Sequence, residues 1–443
     1  MTHSISRREL LKWVSAGTGA AVVGGGTWVL GRTDHADNAV VGASGSNAEG
    51  PVSTRAGSTQ PTAVANEPAV VATSDPRQRL LVVIEMGGGN DGLSTVVPYG
   101  MGDYYDLRQR TAIGGDDVLA LDDQVGFSAK LANIHRRGAA VFQGVGSPDP
   151  DGSHFEMMAR WWNGSPTGAG SFDTGFLGRL ADAIGDPAAA AVAVSIGSGA
   201  HPSLISKKAP TLSIPNAYSF GYLVGADDDD PFRQAFQRGY LAFGQGASAN
   251  RYAELLRSLK GQSVDFANGF GQFDPDAASD YPGSELGRGL RLAAHMLAAD
   301  NGVRIVHVPM NEDFDTHDDH AGRHPQLMES LDNAIEAFLN DIEAQGLSDK
   351  VLVMTTSEFG RTAHDNASGG LDHGTASMAM LLGPVNAGLY GEHPSLTNLD
   401  DNGDLVATMP FDQYYATVAE GWFGVPAGDV LASDAVALGG VFS

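Results

Sequence analysis

Six short apolar runs recur between residues 80 and 382, and they lack the alternation of apolar and polar residues that marks a half-exposed strand. Continuous apolar runs of this length predict strands that are buried on both faces of a sheet. The predicted strands are Leu80–Ile84, Ala139–Gln143, Val192–Ile196, Val303–Val308, Val351–Thr356 and Met378–Leu382.

Apolar residues at helical spacing lie between these runs. The clearest stripe predicts a helix over Gln326–Gln345 that Gly346 ends, and a second stripe predicts a helix over Leu286–Ala299. Strands that alternate with helices predict an α/β fold, a three-layer sandwich with a mainly parallel central sheet. Residues 200–285 follow neither pattern, and we expect an irregular insertion there.

The chain before residue 78 has a different character. Arg7 and Arg8, followed by apolar residues and Lys12, resemble the twin-arginine signal that directs folded proteins out of the cytoplasm. The uncharged stretch 13–31 fits either a signal that is removed or a retained anchor. Residues 33–77 are rich in small residues and proline, which predicts a flexible linker.

We therefore expect a signal segment over 1–32, a linker over 33–77 and one folded domain over 78–443. The twin-arginine translocation machinery is a predicted partner. The predicted location is periplasmic, cell-envelope or extracellular, with membrane contact only through a retained N-terminal segment.

Charge and composition narrow the possible chemistry. The 443 residues carry a net charge of −26, which argues against a nucleic-acid partner because phosphate neutralisation needs clustered Lys and Arg. The chain contains no cysteine, which excludes disulfides, thiolate metal sites and cysteine nucleophiles. Any metal must therefore be held by histidine and carboxylate side chains.

Ligands of open α/β sheets bind beyond the carboxyl ends of the strands, so the residues that follow each run are the candidates for a binding or catalytic site. The first run leads into a glycine-rich stretch with Asn90 and Asp91, which is either an oxygen-ligand loop or a plain turn. After the second run, Ser153 and Glu156 form the pattern of a helix capping box. The same geometry would place the Ser153 hydroxyl at a helix N-terminus, as a nucleophile or a phosphate contact.

Two later stretches have the composition of a metal site. The segment Glu312–His320 mixes carboxylates with histidines, a ligand set that suits Zn, Mn or Fe, although a solvated acidic loop is the alternative. After the fifth run come Glu358 and Arg361, and an Asp372–His373 pair follows. Arg361 is suited either to bind a substrate oxyanion or to form a salt bridge with Glu358 or Asp372.

Taken together and in this order, these stretches resemble the DUF1501 family of exported proteins. The motifs that carry the resemblance are Gly-Gly-Asn90-Asp91-Gly92, Tyr104-Tyr105-x-Leu-Arg108, Ser153-His154-Phe155, Asp315-Thr316-His317, Ser357-Glu358-Phe359-Gly360-Arg361-Thr362 and Asp372-His373-Gly374. The family is similar to the alkaline phosphatase superfamily, which includes phosphatases and sulfatases that bind metals at the carboxyl edge of a parallel sheet. The resemblance thus implies an alkaline-phosphatase-like fold.

The resemblance also implies roles for individual residues. It assigns metal ligation to Asp91, Asp315, His317, Glu358 and His373. Ser153, or a water on the metal, would be the nucleophile, while His154 and Arg361 would position the substrate oxygens. Spacing and composition add three lesser candidates for ligands, namely Asp313, His320 and Asp372. The implied cofactor is one or two divalent ions, Zn or Mn.

The expected function is an exported, metal-dependent hydrolase that acts on small phosphate or sulfate esters. The alternative is a non-catalytic envelope protein that keeps the fold for binding or assembly, because a fold does not fix a function.

Overall fold

The fold was analysed in a computed structural model, which describes Ala72 and residues 75–442 apart from 169–171, 187, 198, 218–265, 267–272, 275 and 276. All six predicted strands are present, with ends that shift by a few residues. The strands are β1 Leu80–Met86, β2 Val96–Val97, β3 Val118–Ala120, β4 Gly126–Ser128, β5 Ala140–Gly146, β6 Ala193–Ile196, β7 Thr211–Ile214, β8 Ile305–Met310, β9 Val351–Ser357, β10 Ser377–Leu382, β11 Gly388–Tyr390 and β12 Met409–Pro410.

Nine of these strands form one sheet in the order β11-β5-β10-β9-β1-β8-β6-β7, and β12 pairs with β5. Every pairing is parallel except those of β10, which runs antiparallel to β5 and β9. The predicted, mainly parallel sheet is therefore confirmed. A separate three-stranded antiparallel sheet contains β2, β4 and β3.

The helices cover both faces of the sheet. They are α1 Gly92–Thr95, α2 Gly102–Leu107, α3 Ala132–Arg137, α4 His154–Asn163, α5 Phe176–Ile184, α6 Glu285–Ala298, α7 His320–Ala344, α8 Phe411–Ala416 and α9 Ala427–Val430, with a π-helical turn at Thr417–Trp422. Helix α6 begins after Ser284, whose hydroxyl accepts a hydrogen bond from the Gly287 N–H at 3.1 Å. This start agrees with the predicted one.

Helix α7 begins at His320, before the predicted start at Gln326, so that Pro325 lies inside the helix. A proline this close to the start removes only one early backbone hydrogen bond. The additional turn carries His320 and His324, which are buried and stack on each other with ring centroids 4.7 Å apart. Tertiary contacts, which an apolar stripe does not reveal, stabilise this turn.

The central strand β1 shows how the three layers form. Its residues Val82 and Ile84 pack into one apolar core together with α6 and α7. Leu81 and Val83 point to the opposite core, which contains α5 and α8. Alternate side chains of one strand thus enter two cores, which confirms the three-layer sandwich.

Part of the predicted insertion at 200–285 belongs to the sheet, because β7 pairs in parallel with β6 at its edge. The rest of that insertion, apart from short stretches, and almost all of the predicted signal and linker segments lie outside the described residues. Among the described residues, no helix combines the length and the apolar character needed to cross a membrane.

Candidate functional site

Four strands position polar side chains at the carboxyl edge of the sheet. His154 follows β5, Asp315 and His317 follow β8, and Glu358 directly follows β9. His373 precedes β10, whose antiparallel direction brings its start to the same edge. Strand order therefore explains why residues far apart in sequence meet here.

Four of these side chains form a cluster, which we call the Asp315 cluster: His154, Asp315, His317 and His373. The Nε2 atoms of His317 and His373 are 2.9 Å apart, and they lie 3.1 and 3.2 Å from the Asp315 Oδ1. The Nε2 of His154 lies 3.8 Å from the other oxygen of Asp315. Three imidazoles thus surround one carboxylate.

The opposite ring nitrogen of each histidine is anchored to an oxygen. The Nδ1 of His373 lies 2.7 Å from the Gly152 carbonyl, and that of His317 lies 2.7 Å from the Asp372 carboxylate. The Nδ1 of His154 lies 2.9 Å from Glu358. A carbonyl or carboxylate oxygen only accepts, so each Nδ1 carries the proton and donates.

This anchoring fixes what the Nε2 atoms can do. A ring that carries its proton on Nδ1 alone directs its Nε2 lone pair toward Asp315. Lone pairs that face one another at these distances repel unless a proton or a cation lies among them. Histidines held by outer oxygens around a carboxylate are the arrangement that divalent metal sites in proteins use. The donor set therefore fits the predicted divalent ion.

Glu358 lies behind His154, largely buried. Burial raises the pKa of its carboxyl group, and the nearby charge of Glu85 adds to that effect, whereas His154 and the Gly88 N–H lower it. The Gly88 N–H donates a short hydrogen bond to Glu358. Glu358 thus contacts the cluster through His154, whose ring it orients. Its own carboxylate, predicted as a metal ligand, lies behind that ring as an outer partner.

Arg361 is fully buried, and its donors are occupied. Its guanidinium donates to the Asp315 Oδ1 at 2.6 Å and to the carbonyls of Gly88, Gly89 and Leu371. Its salt-bridge partner is therefore Asp315, so the predicted alternative, a salt bridge with Glu358 or Asp372, was wrong. The buried position favours orienting Asp315 and the glycine-rich loop over binding a substrate oxyanion, a role that remains a prediction.

Asp91 does not join the Asp315 cluster. It is buried, and the Arg108 guanidinium donates hydrogen bonds to both of its oxygens at 2.7 and 2.9 Å. Burial alone would raise the pKa of Asp91, but Arg108 and His320 hold it well below its usual range. The structure gives this carboxylate an arginine partner in place of the predicted metal.

Ser153 is the N-terminal capping residue of α4, but its side chain makes no capping hydrogen bond. Glu156 pairs with Arg160 at 2.9 Å instead, so the predicted capping box was wrong. Each neighbour of Ser153 in the chain contacts the cluster, Gly152 through its carbonyl and His154 through its ring. The exposed Ser153 therefore lies beside the cluster with its hydroxyl uncommitted to the helix cap.

The three lesser candidates have different positions. Asp372 contacts the cluster through the Nδ1 of His317. Asp313 is exposed and pairs with Arg323 at 3.2 Å. His320 is buried near Asp91 and Ser94, away from the cluster. Of the three, only Asp372 contacts a side chain of the Asp315 cluster, whereas the Asp313 Oδ1 accepts a hydrogen bond from the Asp315 backbone N–H at 3.0 Å.

One comparison shows the family of this chain. A family described as "Protein of unknown function (DUF1501)" matches residues 129–410, which is more than half of the chain. The chain belongs to the DUF1501 family. The matched range contains the whole Asp315 cluster but not Asp91. No curated protein matches the chain.

Solved structures resemble this DUF1501 chain at low sequence identity. A sulfatase from Pseudoalteromonas sp. is 12% identical, with 82% of this chain and 73% of that chain covered and a TM-score of 0.38. An alkaline phosphatase from the Antarctic bacterium TAB5 is 12% identical, with coverage of 72% and 95% and a TM-score of 0.32. A phosphonate monoester hydrolase of Agrobacterium radiobacter is 11% identical, with coverage of 78% and 74% and a TM-score of 0.30. Because these scores are low, the chemistry is inferred from the site's own residues.

Sequence reasoning missed a second group of ligand-type side chains, which we call the Glu85 cluster: Glu85, His201 and His307. Two of its members carried a visible sign in the sequence. Glu85 ends the apolar run of β1, and His307 interrupts the apolar run of β8. A charged or titratable residue inside a buried strand needs a partner, and that requirement was the available clue.

Proposed function

We propose that this DUF1501 protein is a metal-dependent hydrolase of small phosphate or sulfate esters, and that the Asp315 cluster is its active site. One observation carries the proposal. Three histidines, each anchored through Nδ1, direct Nε2 toward a single carboxylate at the carboxyl edge of a parallel sheet. Such a set would hold a divalent ion, Zn or Mn, which would supply Lewis-acid stabilisation of negative charge.

The protein's own residues support the remaining steps. The Ser153 hydroxyl is exposed, next to the cluster, at the N-terminus of α4, where backbone N–H groups favour an anion. In the proposed reaction the serine oxygen bonds to the phosphorus or sulfur atom while the bond from that atom to the ester oxygen breaks, and the serine proton leaves with the alcohol. Water then displaces the serine oxygen from the phosphorus or sulfur atom and returns a proton to it, which releases the acid. Arg361 and Asp372 hold Asp315 and His317 in position.

The cluster is open enough to admit a substrate. The side chain of His317 is 43% exposed, and that of Asp315 is 31% exposed. A metal site that is built only to stabilise a fold is closed, whereas a catalytic site keeps an accessible position. The exposure therefore favours a catalytic over a purely structural ion.

Asp315→Asn tests the proposal directly. Loss of an outer partner of a metal ligand already costs about 10–100-fold in activity or affinity. Loss of the central carboxylate should therefore lower the hydrolysis of p-nitrophenyl phosphate, bis-p-nitrophenyl phosphate or p-nitrophenyl sulfate by more than about 100-fold. The matched control is Asp401→Asn, which changes an exposed aspartate outside the cluster and should keep the wild-type rate.

Thermal unfolding of both variants shows whether the fold is retained. If the wild type hydrolyses none of the three esters with Zn²⁺ or Mn²⁺ present, or if Asp315→Asn matches it, the hydrolase proposal fails. The non-catalytic envelope protein is then the better account. Ser153→Ala separates the routes, because full activity in that variant would exclude a covalent serine intermediate and leave water as the nucleophile.

We also propose export by the twin-arginine route, with the translocation machinery as the partner. The proposal is supported by Arg7 and Arg8 ahead of an uncharged stretch. Replacing both arginines with lysine should leave the protein in the cytoplasm, as measured by cell fractionation. Unchanged export of that variant would contradict the proposal.

A further inference from the structure

The Glu85 cluster lies on one face of the central sheet. Val83 of β1 is paired with His307 of β8, so Glu85 and His307 project into the same layer near the carboxyl ends of adjacent strands. His201 reaches them from the segment that follows β6. The rings of His201 and His307 are 4.0 Å apart between centroids.

The ligand-type atoms of this cluster converge. The Nε2 atoms of His307 and His201 lie 3.3 and 3.6 Å from the Glu85 Oε2. One ligand-type atom from each of the three residues lies within 4.8 Å of the other two. Ligand atoms about 2.0–2.1 Å from a tetrahedral ion are about 3.3–3.4 Å apart. The observed separations are close to that spacing without any rearrangement of the backbone.

Outer contacts hold all three side chains in this arrangement. The Nδ1 of His307 lies 3.0 Å from the Ser195 hydroxyl, and the Nδ1 of His201 lies 2.7 Å from the Ser203 hydroxyl. The Trp162 indole N–H donates to the Glu85 Oε2 at 2.9 Å. Each imidazole is thus anchored on one side and presents its other nitrogen to the carboxylate, as in metal sites with an ordered outer shell.

The cluster also borders a small pocket. Glu85, His307 and Trp162 line a pocket together with Ser203 and Glu358. Glu358 in turn contacts His154 of the Asp315 cluster. Two imidazoles and one carboxylate leave positions on an ion free, and this pocket is where water or another small ligand would reach them.

We propose that Glu85, His201 and His307 bind a second divalent cation, separate from the Asp315 cluster and adjoining the pocket beside Glu358. Two imidazoles with one carboxylate suit Zn²⁺, Co²⁺ or Fe²⁺ better than Ca²⁺ or Mg²⁺, which prefer oxygen ligands. The site does not depend on the proposed ester hydrolysis, because its three ligands are distinct from those of the Asp315 cluster.

The test is the binding of Co²⁺ to the metal-stripped full-length chain, which calorimetry and visible absorption measure. We expect two bound Co²⁺ in the wild type and one in His201→Gln, a variant of a loop residue that leaves the strands intact. Asp315→Asn should also bind one, and the double variant none. His135→Gln, which changes a half-buried histidine outside both clusters, is the matched control and should bind two.

The two proposals fail in different ways. If only the Asp315 cluster fails to bind, the wild type holds one Co²⁺ and His201→Gln holds none, which still supports the Glu85 site. If His201→Gln and His307→Gln both bind as many ions as the wild type, the Glu85 site is overturned. Circular dichroism verifies the fold of each variant. Anomalous scattering from a Co²⁺-soaked wild-type crystal tests the Glu85 site without any substitution, because a bound ion would give a peak there.

Discussion

The Asp315 cluster and the Glu85 cluster use the same ligand chemistry in different surroundings. At the Asp315 cluster, the histidine side chains are 22–43% exposed and their outer partners are carboxylates and a carbonyl. At the Glu85 cluster, the side chains of His307 and His201 are 1% and 14% exposed, and the outer partners of their rings are serine hydroxyls. A carboxylate partner makes an imidazole more basic than a hydroxyl does, and exposure admits a substrate. The comparison separates a site suited to catalysis from a site suited to holding an ion.

A third carboxylate, the buried Asp91, extends this comparison, because its main partner is Arg108, whereas the carboxylates of the two clusters face histidines. Arg108→Met should lower the free energy of unfolding by about 3–5 kcal/mol, since it leaves a buried charge without its partner. The measurement is urea denaturation, and Lys130→Met, which breaks the exposed pair with Glu329, should cost about 1 kcal/mol or less. A small effect of Arg108→Met, with an extra bound metal, would return Asp91 to the predicted ligand set.

Metal removal tests whether both clusters bind in the folded state. Zn²⁺ at about 100 times its dissociation constant should stabilise the protein by about 2.7 kcal/mol for each occupied site. Thermal unfolding of the metal-stripped and the Zn²⁺-loaded protein measures this stabilisation. His201→Gln and Asp315→Asn should each lose the stabilisation that one site contributes. Equal Zn²⁺ stabilisation of the wild type and the double variant would contradict the two-site account.

The smallest expected effects concern the outer partners. Asp372→Asn should weaken metal binding at the Asp315 cluster by about 10–100-fold, because the His317 anchor loses its charge. Ser195→Ala should weaken binding at the Glu85 cluster by only about 1 kcal/mol, roughly fivefold, the worth of one neutral hydrogen bond. Calorimetry measures both, with the exposed Asp401→Asn as the control. A larger loss for Ser195→Ala than for Asp372→Asn would reverse the proposed difference between the clusters.

The fold was more predictable than the site. Strands such as β1 and β9 are buried on both faces, so continuous apolar runs marked them clearly. The start of α7 was misplaced because buried histidines, not apolar residues, hold its first turn. The order of the strands, with β10 reversed, depends on pairings between distant segments and left no local sign in the sequence.

Within the site, residues next to strand ends were identifiable, and their partners were not. Asp315, His317, Glu358 and His373 follow from composition at the sheet edge, and the structure brings them together. The assignment of Arg361 to Asp315, and of Arg108 to Asp91, required knowledge of which loops meet. Glu85 and His307 were overlooked because each is a single polar residue at or near the end of a run that otherwise reads as a strand.

The most direct test of the central claim is anomalous scattering from a crystal of the full chain grown or soaked with Zn²⁺. The account predicts a peak within the Asp315 cluster, and the loss of both that peak and ester hydrolysis in Asp315→Asn. Ester hydrolysis that survives complete chelation, with no peak at the Asp315 cluster, would contradict it.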